Sequence, residues 1–152
     1  MTTKNIKNQG FTLVELLIVI VIIAILTVVS LVAYNGLQNQ AKTSAAKSAA
    51  DAVAKKAELY NTAKSSYPDK LEDLTDKTVG TPPVSQTGEP YYLDKSTVNT
   101  SSAAFAAVGS SMTPPQEANT VEYEACTDHK GAHVRYYNFS ANKVEERIIG
   151  SC

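Results

Sequence analysis

Gly10-Phe11-Thr12-Leu13-Val14-Glu15 opens an apolar run that continues to Ala33, and the reading of this stretch decides the fold. Residues 11–33 number 23, about 35 Å as a helix against a bilayer hydrocarbon core of about 30 Å. The ten residues before the run hold Lys4 and Lys7 and no acid. That asymmetry directs the N-terminus to the cytoplasm and the rest of the chain outward. A secretory signal peptide fits poorly, because the run exceeds an apolar region of about 7–15 residues and no small-x-small cleavage site follows closely. A plain anchor leaves Glu15 unexplained. A carboxylate in hydrocarbon is costly, Leu or Ile would pack better, and the default reading of an intramembrane acid is a functional group with a partner. Nothing basic lies between Glu15 and Lys42. The partner must come from another chain or from a new N-terminus made by cleavage.

Glycine, aromatic residue, glutamate and apolar run, all in register, resemble the class III signal of type IV pilins and pseudopilins. The resemblance is close over residues 1–64 and general beyond. It implies that prepilin peptidase, a membrane aspartyl protease, cuts after Gly10 and that the new amine of Phe11 is N-methylated. It implies further that Glu15 of one subunit neutralises the Phe11 ammonium of its neighbour in a helical homo-oligomer. The expected function is the structural subunit of a type IV pilus-like extracellular filament for adhesion or motility. Such a chain enters the membrane as a single-pass precursor and is polymerised by inner-membrane assembly machinery. Alternatives are a pseudopilin of a type II secretion or DNA-uptake machine, a minor tip-located pilin, or, outside the family, a monomeric membrane-anchored binding module. Two features depart from the family. Its mid-helix proline falls on Val32 and its helix-breaking glycine on Ala24. Local melting of the helix in a filament would then centre on Asn35-Gly36, since Gly costs about 1 kcal/mol relative to Ala.

Removal of residues 1–10 leaves 142 residues with 12 basic and 15 acidic side chains, a balance of −3. One modest soluble domain is the natural count after the span. The near-neutral charge gives no strong nucleic-acid signal, and no internal repeat is present. The expected organisation is a leader at 1–10, a transmembrane and assembly helix at 11–33, an amphipathic continuation at 34–64, and a globular head at 65–152. Leu37, Ala41, Ala45, Ala49, Val53, Ala57 and Tyr60 recur at three- and four-residue spacing and predict one apolar stripe. Lys42, Lys47, Asp51, Lys55 and Glu58 lie off it, with Asp51 and Lys55 in the favourable i,i+4 order. Its small alanines suit the close approach of a sheet.

Pro68 disfavours a helical Tyr67 and ends the helix near Ser65. Residues 69–74 predict a short helical turn with Leu71 and Leu74 inward. A loop at 75–88 is punctuated by Pro82-Pro83 and Gly88, and 91–93 predicts a short strand. Residues 96–120 are long for a loop, and the apolar patch 103–108 suggests that they pack down. Residues 121–126, 132–139 and 144–149 are β-branched or aromatic and separated by turn signals at 128–131 and 140–143. The fold class is therefore α+β. A long N-terminal helix, half membrane-spanning and half amphipathic, packs on a small C-terminal antiparallel sheet, which the resemblance equates with the pilin fold.

Cys126 and Cys152 are the only cysteines. In an outward-facing domain an even pair reads as a disulfide, closing a loop of about 27 residues. The resemblance agrees, since type IV pilins often carry a C-terminal disulfide loop. A metal site from Cys126, Asp128, His129 and His133 is the rival; it is set aside because Cys126 has a better partner and His129 sits in a turn. No metal or other cofactor is expected. Nor is an enzyme: there is no nucleophile elbow, phosphate-binding glycine loop or acidic pair in an apolar setting, and Glu145 and Glu146 point to opposite faces of a strand. The sequons at 99–101 and 138–140 are weak patterns, and the tyrosines fit half-buried strands.

Overall fold

The computed structural model describes residues 10–75, 87–99 and 104–152. The leader up to Gln9, Pro82-Pro83, and part of the first sequon lie outside the described residues, as does Ala103 of the apolar patch. The chain divides into two units, Met1–Leu37 and Gln38–Cys152. A helix, α1, spans Leu13–Lys64. Three strands follow, β1 (Val121–Ala125), β2 (Gly131–Asn138) and β3 (Lys143–Gly150), in an antiparallel sheet of order β1-β2-β3. The fold is α+β, a long helix on a small antiparallel sheet.

In the first unit α1 is apolar on every side. Each large apolar side chain from Leu13 to Leu37 is at least 46 % exposed, so no surface of the unit itself buries them. In the second unit α1 is one-sided. Ala46, Ala49, Ala50, Val53, Ala54 and Ala57 are buried and share one core with Ala132, Val134, Tyr136 and Ile149 of the sheet. The predicted stripe is correct at Ala49, Val53 and Ala57 and wrong at its start, where Leu37, Ala41 and Ala45 are exposed. The cause is geometric. Four residues turn a helix by about 400°, so each i,i+4 step drifts about 40° and carries Ala45 off the face that Ala46 occupies. Asp51 pairs with Arg147 of β3 rather than with Lys55.

The helix ends as expected. Ser65 takes a left-handed φ of 60° and its N–H reaches the Asn61 carbonyl at 2.7 Å. Leu71–Leu74 is a single 3-10 turn with Leu74 fully buried and Leu71 partly so. The predicted strand at 91–93 does not form. Its backbone is used elsewhere: the Tyr92 N–H closes a turn on the Glu89 carbonyl at 3.0 Å, and the Leu93 N–H donates to the Leu74 carbonyl at 2.7 Å. Tyr91 packs edge-on against Tyr60 of α1, with centroids 5.0 Å apart. Within the long loop, Val98 and Phe105 are buried and Val108 is exposed.

The three strands fall within a residue of their predicted limits. Tyr123, Val134 and Arg147 are register partners on the helix-facing side, and Glu122, Arg135 and Glu146 partners on the other. A second small core of Phe105, Tyr137 and Val144 covers one end of that outer face. Two glycines set the other end. Gly131 and Gly150 face each other across β2 and β3, and a Cβ at Gly150 would strike the Lys130 carbonyl and lie 2.8 Å from Tyr67 Cε2. With φ of +71°, Gly150 also has the backbone that glycine adopts most readily.

Candidate functional site

Thr12 is the residue just before α1 and Glu15 is the third within it. The Thr12 N–H and the Thr12 hydroxyl both donate to Glu15 Oε2, at 2.8 and 2.9 Å, while the Glu15 N–H donates back to Thr12 Oγ1 at 3.2 Å. This is a capping box, which satisfies backbone donors that the first turn of a helix leaves open. It corrects the reading of Glu15 as unpartnered within its own chain. The signal was present in the sequence, since Thr-Leu-Val-Glu has the Ser/Thr-x-x-Glu spacing of such a box. The box occupies only one carboxylate oxygen. Glu15 Oε1 has no hydrogen-bond partner among the described residues, which leaves one open acceptor.

Phe11 is 91 % exposed beside this cap. A Cβ built at Gly10 would meet no atom within 4 Å, so no described part of the chain demands glycine there. Among the described residues one helix is long and apolar enough to cross a membrane. Glu15 stands in its first turn.

At the far end of the sequence, Cys126 and Cys152 form a disulfide with Cα atoms 5.6 Å apart. The neighbouring backbone holds the approach: the Cys126 N–H donates to the Gly131 carbonyl at 3.0 Å, and the Ser151 N–H to the Lys130 carbonyl at 3.0 Å. Cys126 and His133 lie on the outer face of the sheet by strand alternation. There Arg135 links three carboxylates, Glu122 at 3.0 Å, Glu124 at 2.7 Å and Glu146 at 3.2 Å. Desolvation works against the guanidinium charge, but the bonds to Glu122 and Glu124 outweigh it and hold the Arg135 pKa above its usual value. Both histidines lean on acids, His133 Nδ1 on Glu146 and His129 Nδ1 on Asp69, each at 2.9 Å. His129 sits in a turn at φ 54°. The four residues first considered for a metal are thus not a group: the triad that the fold brings together is Cys126, His133 and Cys152.

On the helix-facing side, Glu145 accepts from Asn138 and from the Tyr136 hydroxyl, both at 2.8 Å. These two bonds hold the Glu145 pKa below its usual value. Burial, then the bond to Glu145, pushes Tyr136 up to about 12. This group is structural in character, tying the β2–β3 hairpin together, and Asn138 of the second sequon is part of it.

The prokaryotic N-terminal methylation motif matches the chain at residues 5–31. No curated protein and no solved structure matches it. The chain thus carries a class III prepilin signal running directly into a long exposed apolar helix, the features of a type IV pilin-like, membrane-anchored precursor.

Proposed function

We propose that this chain is the structural subunit of an extracellular type IV pilus-like filament, polymerised through α1 after cleavage by prepilin peptidase between Gly10 and Phe11. The observation that carries the reading is the geometry of Glu15 within the methylation motif. The carboxylate is held by the Thr12 backbone and hydroxyl through Oε2, and Oε1 is left open. Cleavage creates an ammonium on Phe11, one residue before the cap. In a bundle of such helices, Oε1 of one subunit accepts from the Phe11 amine of its neighbour. The charge pair sets the stagger between subunits, which apolar faces alone would leave free to slide. N-methylation of Phe11 keeps the positive charge, and Gly10 permits the close backbone approach that a protease requires. Inner-membrane assembly machinery extracts the processed subunit from the bilayer, and the head, residues 65–152, becomes the filament surface.

Two measurements test this. Intact-mass analysis of sheared surface filaments should find a chain that begins at Phe11 and carries one added methyl group; a chain beginning at Met1 would refute processing. Glu15→Val should leave membrane levels of processed subunit unchanged while filaments disappear from electron micrographs. Normal filament numbers would remove the charge pair as the assembly determinant.

A further inference from the structure

The Cys126–Cys152 clasp has a neighbour that a purely structural disulfide does not need. The two Sγ atoms and a ring nitrogen of His133 all lie within 4.8 Å of one another. Tetrahedral Zn2+ with bonds of about 2.3 Å to sulfur and about 2.0 Å to nitrogen requires ligand separations of about 3.5–3.8 Å. The imidazole nitrogen is therefore within about 1 Å of a ligand position, and the two sulfurs, bonded in the disulfide, have to part by about 1.8 Å once the bond is broken. Bridged sulfurs are poor donors. Once reduced, the same atoms become two thiols, which bind metal as thiolates, and an imidazole, a borderline-soft set suited to Zn2+. The support for His133 is already in place. Its Nδ1 is 2.9 Å from Glu146 Oε1, and Glu146 is in turn gripped by Arg135 Nε at 3.2 Å. A ligating histidine characteristically gives its other N–H to a carboxylate, which fixes the tautomer and leaves Nε2 as the donor. An open cavity on this face is lined by all three residues and also by Glu124 and Thr127, and it leaves room for a fourth ligand. Cys152 is exposed and lies beyond the end of β3, so its side chain can adjust without moving the sheet.

We propose that in the reduced chain Cys126, Cys152 and His133 bind one Zn2+ ion, with Glu146 as the positioning residue for His133. Disulfide and metal are then alternative closures of the same C-terminal loop. Binding releases two thiol protons. A low-molecular-weight disulfide, RSSR, reverses it: the two thiolates give up two electrons to form the Cys126–Cys152 bond, RSSR leaves as two thiolates, and Zn2+ is freed.

The test uses the full chain in detergent, reduced with a phosphine and freed of reductant under argon, with Co2+ as a spectroscopic probe. One equivalent of Co2+ should produce thiolate-to-cobalt charge-transfer and tetrahedral ligand-field bands, which Zn2+ then bleaches. The oxidised chain should show neither. His133→Ala should lose the tetrahedral bands, and Glu146→Gln should weaken binding by about tenfold or more. Circular dichroism of a Cys126→Ser, Cys152→Ser chain reports whether the sheet survives without the bridge. If it does not, one equivalent of Zn2+ should restore the sheet to the reduced wild type. The proposal falls if the reduced chain binds no Co2+, if His133→Ala binds it with unchanged spectrum and affinity, or if bound metal leaves an unfolded reduced chain unfolded.

Discussion

Exchanging alanine for leucine at two neighbouring turns of α1 separates the face that a sequence pattern predicts from the face that the fold uses. Ala45 belongs to the i,i+4 series and is exposed, whereas Ala50 lies outside that series and is 0 % exposed. Leucine adds three heavy atoms at either place. If the core had a void at Ala50, burying them would stabilise the head by about 0.8 kcal/mol per methylene, or about 2 kcal/mol in total. Interiors packed like organic crystals have no such void, and overpacking costs about 1–3 kcal/mol. Ala50 is surrounded by the core that holds Val53, Val134 and Tyr136, so the upper half of that range applies. At roughly 4 °C per kcal/mol for a domain of this size, Ala50→Leu should lower Tm by about 8–12 °C. Ala45→Leu should stay within about 0.5 kcal/mol of wild type, because leucine is nearly as good a helix former as alanine and nothing packs there. Thermal unfolding of both variants in the same detergent decides the matter. A stabilised Ala50→Leu, or an Ala45→Leu that loses as much as Ala50→Leu, would refute the placement of the sheet on the face centred at Ala50 and Val53.

Closing the loop between Cys126 and Cys152, with a sequence separation of 26, is worth about 3.5 kcal/mol in the chain-entropy model; reduction in the presence of a chelator should lower Tm correspondingly, and a shift of under 3 °C would show that the bridge does not restrain the unfolded chain. Gly150→Ala combines a left-handed φ with a Cβ set against the Lys130 carbonyl and Tyr67, so it should destabilise by about 2 kcal/mol or more and slow reoxidation of the pair; unchanged Tm and reoxidation would contradict the close approach of β2 and β3. For pH, Glu145 has a folded pKa below its ordinary 4.5, so the stability it contributes is present above about pH 4.5 and lost as pH falls through the folded value. The gap between wild type and Glu145→Gln in urea midpoints should therefore close on acidification, and a gap that widens would have the wrong sign. Tyr136 is shifted the other way, from 10.0 to about 12, so its contribution holds below pH 10 and fades as pH rises through about 12, which an alkaline absorbance titration against Tyr136→Phe would follow.

The elements that were legible from sequence are those specified by their own residues. The strands announce themselves by runs of β-branched and aromatic side chains, and the turns between them by residues that tolerate a left-handed backbone, realised at His129 and Asn142. The end of α1 is written in Pro68 and in the loss of periodicity after Lys64. What was not legible depends on partners distant in sequence. Residues 91–93 have a strand-like composition, yet their hydrogen bonds go to Glu89 and Leu74, and no local pattern encodes that choice. Asp51 has a lysine four residues on, the arrangement that helix rules favour, but the sheet offers Arg147 from the opposite side. The stripe failed for a subtler reason. A spacing of four is close enough to the helical period to look continuous over two turns, and its drift of about 40° per step shows only when a sheet selects one face.

Glu15 has a neutral partner in its own chain, and that partner changes the argument about why a carboxylate sits there. No basic residue lies between Glu15 and Lys42, but a carboxylate can be satisfied by neutral donors, and Thr12 supplies two of them to a single oxygen. Capping alone would be served by Gln, which occupies the same place in a capping box without a charge to bury. What Gln cannot do is hold an ammonium ion as well: with its one oxygen in the cap, the group left over is an NH2, which donates rather than accepts and carries no charge. Thr12 and Glu15 therefore divide the work. The hydroxyl and amide of Thr12 orient the carboxylate within its own chain, and in the proposed filament the charge on Glu15 is what meets the Phe11 ammonium of a neighbour. Glu15→Gln consequently separates the two roles more cleanly than Glu15→Val: the cap survives, the charge is gone, and any loss of filaments falls on the ion pair alone.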